Sequence, residues 1–169
     1  MEDVIGVEVD DGVTFAIIKV EDVMEGHDYP GVRFVLQATL DRLRQKIKID
    51  ISTGDAITPQ AVEYAYKLMF EDRHIKLWTY SVETLLAEKL ETIMARGALN
   101  TRMRDFYDVH VIATQEKYRL DLLREAFLVT SRKRHTSQMI GEMKSILNTV
   151  AQDETMRKLW GNYVRDSFL

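Results

Sequence analysis

The segment Tyr80-Ser-Val-Glu-Thr-Leu-Leu-Ala-Glu-Lys89 decides the fold, because the spacing of apolar residues changes there. Before it, apolar side chains alternate or form short continuous runs, which is typical of β-strands. After it, they recur every three or four residues, which is typical of amphipathic helices. Ser81 is a suitable N-cap for the first helix, and Glu83 stands in its first turn. Strands followed by helices predict the α+β class.

We therefore expect a strand-rich part at residues 1–80 and a helical part at residues 81–169. Strands are predicted at 13–20, 32–37, 47–51, 61–70 and 75–80, and helices at 81–97, 101–114, 120–130, 137–147 and 156–164. Thr58-Pro59 is also a possible helix start, so residues 61–70 could form either a helix or a strand. The alternation of strand-forming residues in this segment favours a strand.

Two turn signals, Asp11-Gly12 and Tyr29-Pro-Gly31, precede the first two predicted strands. Residues 13–20 form an almost continuous apolar run after the first of these turns. Such a run is typical of a strand that is covered on both faces, so we expect the first strand to be buried on both sides.

Composition excludes several classes of protein. The net charge of -4 gives no overall attraction to nucleic acid or anionic lipid, so any contact with a polyanion has to be local. Cysteine is absent, which excludes disulfides and thiolate metal sites. No segment approaches the roughly 20 apolar residues of a membrane span. The N-terminus lacks the pattern of a signal peptide, so we expect no membrane contact and a cytoplasmic location.

Asp50 is the first candidate for chemistry. Ile47, Ile49 and Ile51 alternate with polar residues, so one face of their strand is apolar and the other carries Lys48 and Asp50. If the polar face lines a cleft, the Asp50 carboxylate can bind a divalent cation or act as a base. The alternative is an aspartate that faces solvent on an exposed sheet face.

Lys89 is the second candidate, because it stands on the apolar stripe of the helix that starts at Ser81. It follows Leu85 by four residues and precedes Ile93 by four, so all three share one face. An ammonium group directed into a cleft there can neutralise phosphate charge. The alternative is a long side chain that reaches solvent past its apolar neighbours.

Two groups of charged residues follow. Asp105 and Asp108 are spaced i, i+3 on the next helix, and Arg102 and Arg104 stand just before them. These four residues can form a nucleotide-binding group, or they can form ion pairs on the helix surface. Arg132, Lys133 and Arg134 form the densest positive charge in the chain. They can attract a nucleotide or an RNA backbone, or they can belong to a solvated loop.

Four sequence blocks together resemble the AbiEii/AbiGii nucleotidyltransferase toxins of abortive-infection and toxin–antitoxin systems. They are Gly31-Val-Arg-Phe34, Lys48-Ile-Asp-Ile-Ser-Thr-Gly-Asp-Ala-Ile-Thr-Pro59, Tyr80-Ser-Val-Glu-Thr-Leu-Leu-Ala-Glu-Lys-Leu-Glu91 and Arg102-Met-Arg-Asp-Phe-Tyr-Asp-Val109. The blocks occur in the order and at the spacing that the family shows, and they span most of the chain between Asp11 and His135.

The resemblance implies a partial polymerase-β-like mixed sheet followed by a helical bundle. It also implies Mg²⁺-dependent transfer of a nucleotidyl group from a nucleoside triphosphate to an acceptor, which is tRNA in some relatives, and a cognate antitoxin. By motif, Asp50 matches the strand carboxylate and metal ligand, Lys89 the helix lysine, and Asp105 and Asp108 the aspartates of the last block. We expect Asp50, Lys89 and Asp105 to converge around one hollow, with Lys48 and the arginines nearby for nucleotide or RNA.

Two departures from the family pattern affect these expectations. Arg104 stands where lysine is usual, which keeps the charge but changes the hydrogen-bond geometry. The Gly-Ser turn and Asp-x-Asp strand that open the family's catalytic core have no counterpart, since Glu8-Val-Asp10 follows no such turn. We therefore expect a chain that lacks the first catalytic block and has little transferase activity alone. The alternative function is a non-enzymatic protein-binding or oligomerisation module that associates through an exposed sheet edge.

Overall fold

The computed structural model describes residues 1–23 and 31–168, so Tyr29 and Pro30 of the predicted turn lie outside the described part. The chain divides into two compact units, Met1–Asp55 and Ala56–Leu169. Strands dominate the first unit, and the second combines a β-hairpin with helices. The predicted α+β class is confirmed. In the described residues, no helix combines the length and the apolar character needed to cross a membrane.

The first unit is built on a three-stranded antiparallel sheet. Its elements are helix α1 (Glu2–Ile5) and strands β1 (Val13–Val23), β2 (Gly31–Leu40) and β3 (Leu43–Ser52), with the strands in the order β1-β2-β3. Asp41 and Arg42 connect β2 to β3, and Leu40 pairs with Leu43. Both described sheets are antiparallel throughout, whereas a mixed sheet was predicted.

A bulge in β1 gives this sheet one apolar face and one polar face. The register shifts between Ile17 and Lys19, so Ile17 pairs with Leu36 while Val20 pairs with Phe34. Because the extra residue reverses the alternation, Ile17 and Val20 lie on the same face although they are three positions apart. The apolar face carries Val13, Phe15, Ile17, Val20, Val32, Phe34, Leu36, Ala38, Leu40, Leu43, Ile47, Ile49 and Ile51.

The expectation that β1 is covered on both faces is wrong. Most of its residues are exposed, and Val20 keeps 54% of its surface open. The run of apolar residues is continuous because the bulge adds a residue, and not because both faces are buried. The alternation predicted for the third strand agrees with the register, which places Ile47, Ile49 and Ile51 on one face.

The second unit begins with a two-stranded antiparallel hairpin and continues as helices. Its elements are β4 (Val62–Lys67), β5 (His74–Thr79), α2 (Val82–Arg96), α3 (Met103–Gln115), α4 (Leu120–Lys133), α5 (Met143–Gln152) and α6 (Glu154–Phe168). Short 3₁₀ turns occupy Gly97–Leu99 and Ser137–Glu142, so the helix predicted at 137–147 is a 3₁₀ turn followed by α5. Strand β4 confirms the strand interpretation of 61–70.

Ser81 caps α2 as predicted, since its hydroxyl accepts a hydrogen bond from the backbone N–H of Thr84 at 3.1 Å. The segment before the hairpin is attached to the same helix end. The Thr58 carbonyl accepts bonds from the hydroxyls of Ser81 and Thr84, and the Thr58 N–H donates to the Thr84 hydroxyl. These bonds are buried, so the start of α2 has a fixed position within its unit.

Helix α2 is buried on a wide face because it packs against both α3 and α4. Leu86, Ala87 and Met94 are almost fully buried, while Leu85 of the predicted stripe is 36% exposed. The buried face is therefore rotated from the predicted stripe toward Ala87 and Glu91. A second cluster, Met103, Val150 and Met156, forms the core among α3, α5 and α6.

Candidate functional site

Lys89 of α2 lies between two aspartates of α3. Its Nζ atom is 3.0 Å from Oδ1 of Asp105 and 2.7 Å from Oδ2 of Asp108. The two aspartates are three residues apart, so they project from one side of α3 toward α2. The three side chains are between 14% and 23% exposed, which makes them a partly buried cluster. We call these three residues the lysine–aspartate cluster.

Lys89 carries its charge at neutral pH. Partial burial by itself lowers the pKa of Lys89, but the hydrogen bonds and charges of Asp108 and Asp105 outweigh it, so the pKa is raised above 10.5. A general base or nucleophilic amine needs a lowered pKa, so Lys89 serves as a fixed cation. An ammonium group has three N–H donors, and the two aspartates take two of them. Among the described residues no third partner contacts this ammonium, so one donor remains for a ligand.

Two further features surround the lysine–aspartate cluster. Oδ2 of Asp105 is buried and has no hydrogen-bond partner among the described residues. Such an atom carries a desolvation penalty, which a ligand or water can remove. Arg104 lies at the rim, with Nε 3.9 Å from Oδ2 of Asp108 and a side chain that is 81% exposed. This long, exposed arginine can extend toward a bound anion without leaving a buried partner.

Other charged residues of α2 fix the helices around the cluster. Glu91 is 2% exposed and accepts hydrogen bonds from Nη1 of Arg134 at 2.8 Å and from the hydroxyl of Thr136 at 2.9 Å. Glu83 accepts a bond from the backbone N–H of Arg119, next to the start of α4. Buried charged hydrogen bonds of this kind hold elements in one arrangement. These roles of Glu83 and Glu91 were not predicted from the sequence.

The predicted basic cluster separates into different environments. Arg132 and Lys133 are exposed, and the Arg132 guanidinium donates to the carbonyl of Leu128. Arg134 instead faces Glu91 and is 27% exposed. Arg102 lies just before α3, where its backbone N–H donates to the Asn100 side chain.

Asp50 belongs to the first unit, where Arg33 of β2 binds it across the sheet. Nε and Nη2 of Arg33 donate to Oδ1 and Oδ2 of Asp50 at 2.6 and 2.7 Å. Arg33 and Asp50 are directly opposed in the register of β2 and β3, and both are partly exposed. The bidentate bond occupies both carboxylate oxygens. Lys48 is exposed on the same polar face.

The surrounding cations keep Asp50 ionised. The hydrogen bonds from Arg33 hold the pKa of Asp50 below 3.8 although burial opposes them, and the charges of Arg33 and Lys48 lower this pKa further. The sequence alone does not fix the register of the β2–β3 hairpin, so the partner of Asp50 was not predicted. A two-residue turn at Asp41-Arg42 would have been the signal, because that turn sets Arg33 opposite Asp50.

Asp50 is the residue predicted to bind Mg²⁺. Residues 1–23 and 31–168 contain no group of three or more histidine, aspartate or glutamate side chains placed to hold a metal ion. Mg²⁺ in addition prefers free carboxylate oxygens, and those of Asp50 already accept from Arg33. Asp50 as a metal ligand, and its convergence with Lys89 and Asp105, remain predictions, since Asp50 lies in a different unit.

Comparison with known proteins identifies the family. The model of one family, described as "Nucleotidyl transferase AbiEii toxin, Type IV TA system", matches residues 1–169. Neither a curated protein nor a solved structure matches the chain. The family match confirms the resemblance seen in the four sequence blocks, which include every residue of the lysine–aspartate cluster. The chain therefore belongs to the AbiEii nucleotidyl transferase toxin family, which implies a toxin-type nucleotidyltransferase and a cognate antitoxin.

Proposed function

We propose that the lysine–aspartate cluster binds the triphosphate of a nucleoside triphosphate, and that the protein transfers a nucleotidyl group from it to an acceptor such as tRNA. The observation that carries the proposal is the charged Lys89 ammonium, which two aspartates hold in place with one N–H donor left over. A fixed and partly shielded cation stabilises phosphate charge more than a mobile surface lysine does.

In this reaction an acceptor hydroxyl oxygen forms a bond to the α-phosphorus, and the bond from that phosphorus to the bridging oxygen of pyrophosphate breaks. Negative charge grows on the pyrophosphate, and the hydroxyl proton passes to a base. Lys89 donates its third N–H to a phosphate oxygen, where it stabilises that growing charge. Asp105 and Asp108 are positioning residues in this account, because they act through Lys89.

The remaining predicted binding residues have accessory roles in the proposal. Arg104, at the rim of the cluster, contacts a phosphate, and Arg102 lies two residues before it. Lys48, Arg132 and Lys133 are exposed cations for the RNA acceptor. Arg134 is bonded to Glu91 in the described arrangement, so it would reach a ligand only by leaving that partner.

Nucleotide binding is the primary test, because it reports on the lysine–aspartate cluster without requiring an acceptor. The protein is titrated with labelled GTP and CTP in the presence and absence of Mg²⁺. We expect saturable binding that Lys89→Ala weakens about tenfold or more, since a hydrogen bond to a charged group contributes roughly 1.5–3 kcal/mol. Lys89→Arg keeps the charge and should retain part of the binding.

Glu91→Gln is the matched control, because Glu91 lies on the same helix and is also bonded to charged and polar partners. This variant should lower the melting temperature and leave nucleotide affinity unchanged. Equal nucleotide affinity in Lys89→Ala and wild type would overturn the proposal. Nucleotide affinity that falls in proportion to stability in both variants would show that the cluster is structural.

The exposed apolar face of the β1–β3 sheet favours a second candidate, a protein-binding or oligomerisation module. Leu43 is 72% exposed there, and Val20 lies 54% open on the same face. Large exposed apolar patches are typical of protein interfaces. Sedimentation velocity at increasing protein concentration tests this candidate. A dimer in the wild type that is absent in Leu43→Glu would support it. A monomer at all concentrations that binds nucleotide would favour the enzyme.

The antitoxin and the location of the protein follow the same proposal. A cognate antitoxin is implied by the family, and we propose that the toxin acts in the cytoplasm, where nucleoside triphosphates and tRNA are found. Cell fractionation with an antibody against the chain tests the location.

A further inference from the structure

Strand β3 carries three cations in a row on the polar face of the first sheet. Arg44, Lys46 and Lys48 are spaced two residues apart, so strand alternation directs them to the same side. All three are exposed. Their cross-strand neighbours on β2 include Thr39 and Gln37, which are uncharged and can form hydrogen bonds. We call Arg44, Lys46 and Lys48 the β3 cation row.

The β3 cation row stands out against the acidic composition of its unit. Residues 1–55 contain twelve acidic and six basic residues, and four of the basic residues fall within 42–48. The other two, Lys19 and Arg33, are ion-paired with Glu21 and Asp50. Within residues 1–23 and 31–168, no carboxylate is in ion-pair contact with the row, although Lys48 acts on Glu21 and Asp50 at longer range. The positive charge of the row is therefore available to a ligand.

The spacing of the row determines the kind of ligand it fits. Alternate residues of a strand are about 7 Å apart along its axis, so three such residues form a straight line of regularly spaced charges. A linear polyanion with one charge per repeat can contact all three cations at once. No aromatic side chain shares this polar face in the described register, which excludes stacking of bases. Contacts to phosphates alone hold a strand without reading its sequence.

We propose that the β3 cation row binds the sugar–phosphate backbone of an RNA, and that Thr39 and Gln37 add hydrogen bonds to the same strand. The choice of RNA rests on the proposed function, in which the acceptor is a tRNA. An anionic bilayer fits less well, because Val35, the apolar residue opposite Lys48 on this face, is only 7% exposed and is not available to insert beside the cations.

The test is the triple variant Arg44→Gln, Lys46→Gln, Lys48→Gln, with binding of fluorescein-labelled tRNA and of a labelled single-stranded RNA followed by anisotropy. Each phosphate contact contributes about 0.7 to the slope of log affinity against log salt for single strands. Loss of three contacts should therefore reduce that slope by about 2 and weaken binding roughly tenfold or more at low salt.

Residues 67, 73 and 76 supply a control that is matched in charge. Lys67, Arg73 and Lys76 lie on or beside the β4–β5 hairpin, are exposed, and are each ion-paired with a nearby carboxylate. Changing all three to glutamine alters the net charge of the chain by the same amount as the first triple variant. We expect this control to keep nearly all of the RNA affinity, because its cations are already neutralised.

Four outcomes decide the proposal. Selective loss of RNA binding in the β3 variant supports it. Equal losses in both triple variants overturn it, because net charge and not the row would then control binding. Unchanged RNA binding in the β3 variant, or loss of binding only to phosphatidylserine vesicles, also overturns it. Nucleotide affinity measured on the same samples separates this result from failure of the proposed function, since the lysine–aspartate cluster is intact in both variants.

Discussion

The lysine–aspartate cluster and the Arg33–Asp50 pair both place a cation against carboxylates, but they differ in burial and in how many hydrogen-bonding groups are already used. The lysine–aspartate cluster is 14–23% exposed and leaves one ammonium donor over. The Arg33–Asp50 pair is 34% and 54% exposed, and its bidentate bond uses both carboxylate oxygens. Residues of similar chemistry therefore form two different sites. The cluster in the second unit keeps an N–H donor for a ligand, whereas in the exposed pair of the first unit both carboxylate oxygens are already hydrogen-bonded.

The largest expected difference between the two sites is in stability. Lys89→Met leaves two partly buried carboxylates without their cation, which should lower the free energy of unfolding by about 1–3 kcal/mol. Asp50→Asn should change it much less, because solvent screens an exposed pair. Urea unfolding of the two variants checks this. Equal effects would show that burial does not distinguish the sites.

The second difference is in the pH dependence of stability at the alkaline end. The pKa of Lys89 is raised in the folded state, so its contribution is fully present below 10.5 and is lost as pH rises through the raised value. The stability gap between wild type and Lys89→Met should therefore be constant from neutral pH and narrow only above 10.5. Urea titrations over this range measure the gap, and a gap that narrows near neutral pH would contradict the assigned charge state.

The third difference appears at the acidic end. Arg33 lowers the pKa of Asp50, so the stabilisation from this pair is present above 3.8 and is lost as pH falls through the lowered value. Arg33→Gln should raise the pKa of Asp50 back toward 3.8, and Lys48→Gln should raise it less because its effect is weaker. Carboxyl ¹³C shifts report the pKa directly. An unchanged value in Arg33→Gln would mean that the pair does not form in solution.

The smallest expected effect is that of salt. Exposed charges are screened within about 10 Å at 0.1 M salt, and partly buried charges are screened less. The pKa of Asp50 should therefore move toward 3.8 as salt is added, while the stability gap of Lys89→Met changes little. The same NMR and urea measurements at low and high salt make this comparison. If salt changed the stability gap of Lys89→Met more than the pKa of Asp50, the lysine–aspartate cluster would have to be exposed to bulk solvent.

Local patterns predicted much of this architecture. The Ser81 cap, the change of period near residue 80 and the order of strands and helices all depend on neighbouring residues, which the sequence displays. The bulge at Ile17–Lys19 was missed because an extra residue produces the same apolar run as two buried faces.

At the candidate site, the proximity of Lys89 to Asp105 was expected from the family blocks, and the i, i+3 spacing placed Asp108 on the same side of its helix as Asp105. The partners of Asp50 and Glu91 could not be predicted in this way. The Arg33–Asp50 pair depends on strand register, and the Glu91–Arg134 pair joins residues 43 positions apart. Such contacts come from tertiary packing, which spacing along one element does not reveal.

The most direct test observes the Lys89 ammonium itself. In a sample with ¹⁵N-labelled lysine, the Nζ resonance of Lys89 is assigned by its absence in Lys89→Arg and is then followed as GTP or CTP is added. The account predicts a saturable shift of the Nζ resonance while Lys89 stays protonated. Competing inorganic triphosphate should reverse the shift. Saturable nucleotide binding with no change at this resonance would contradict it.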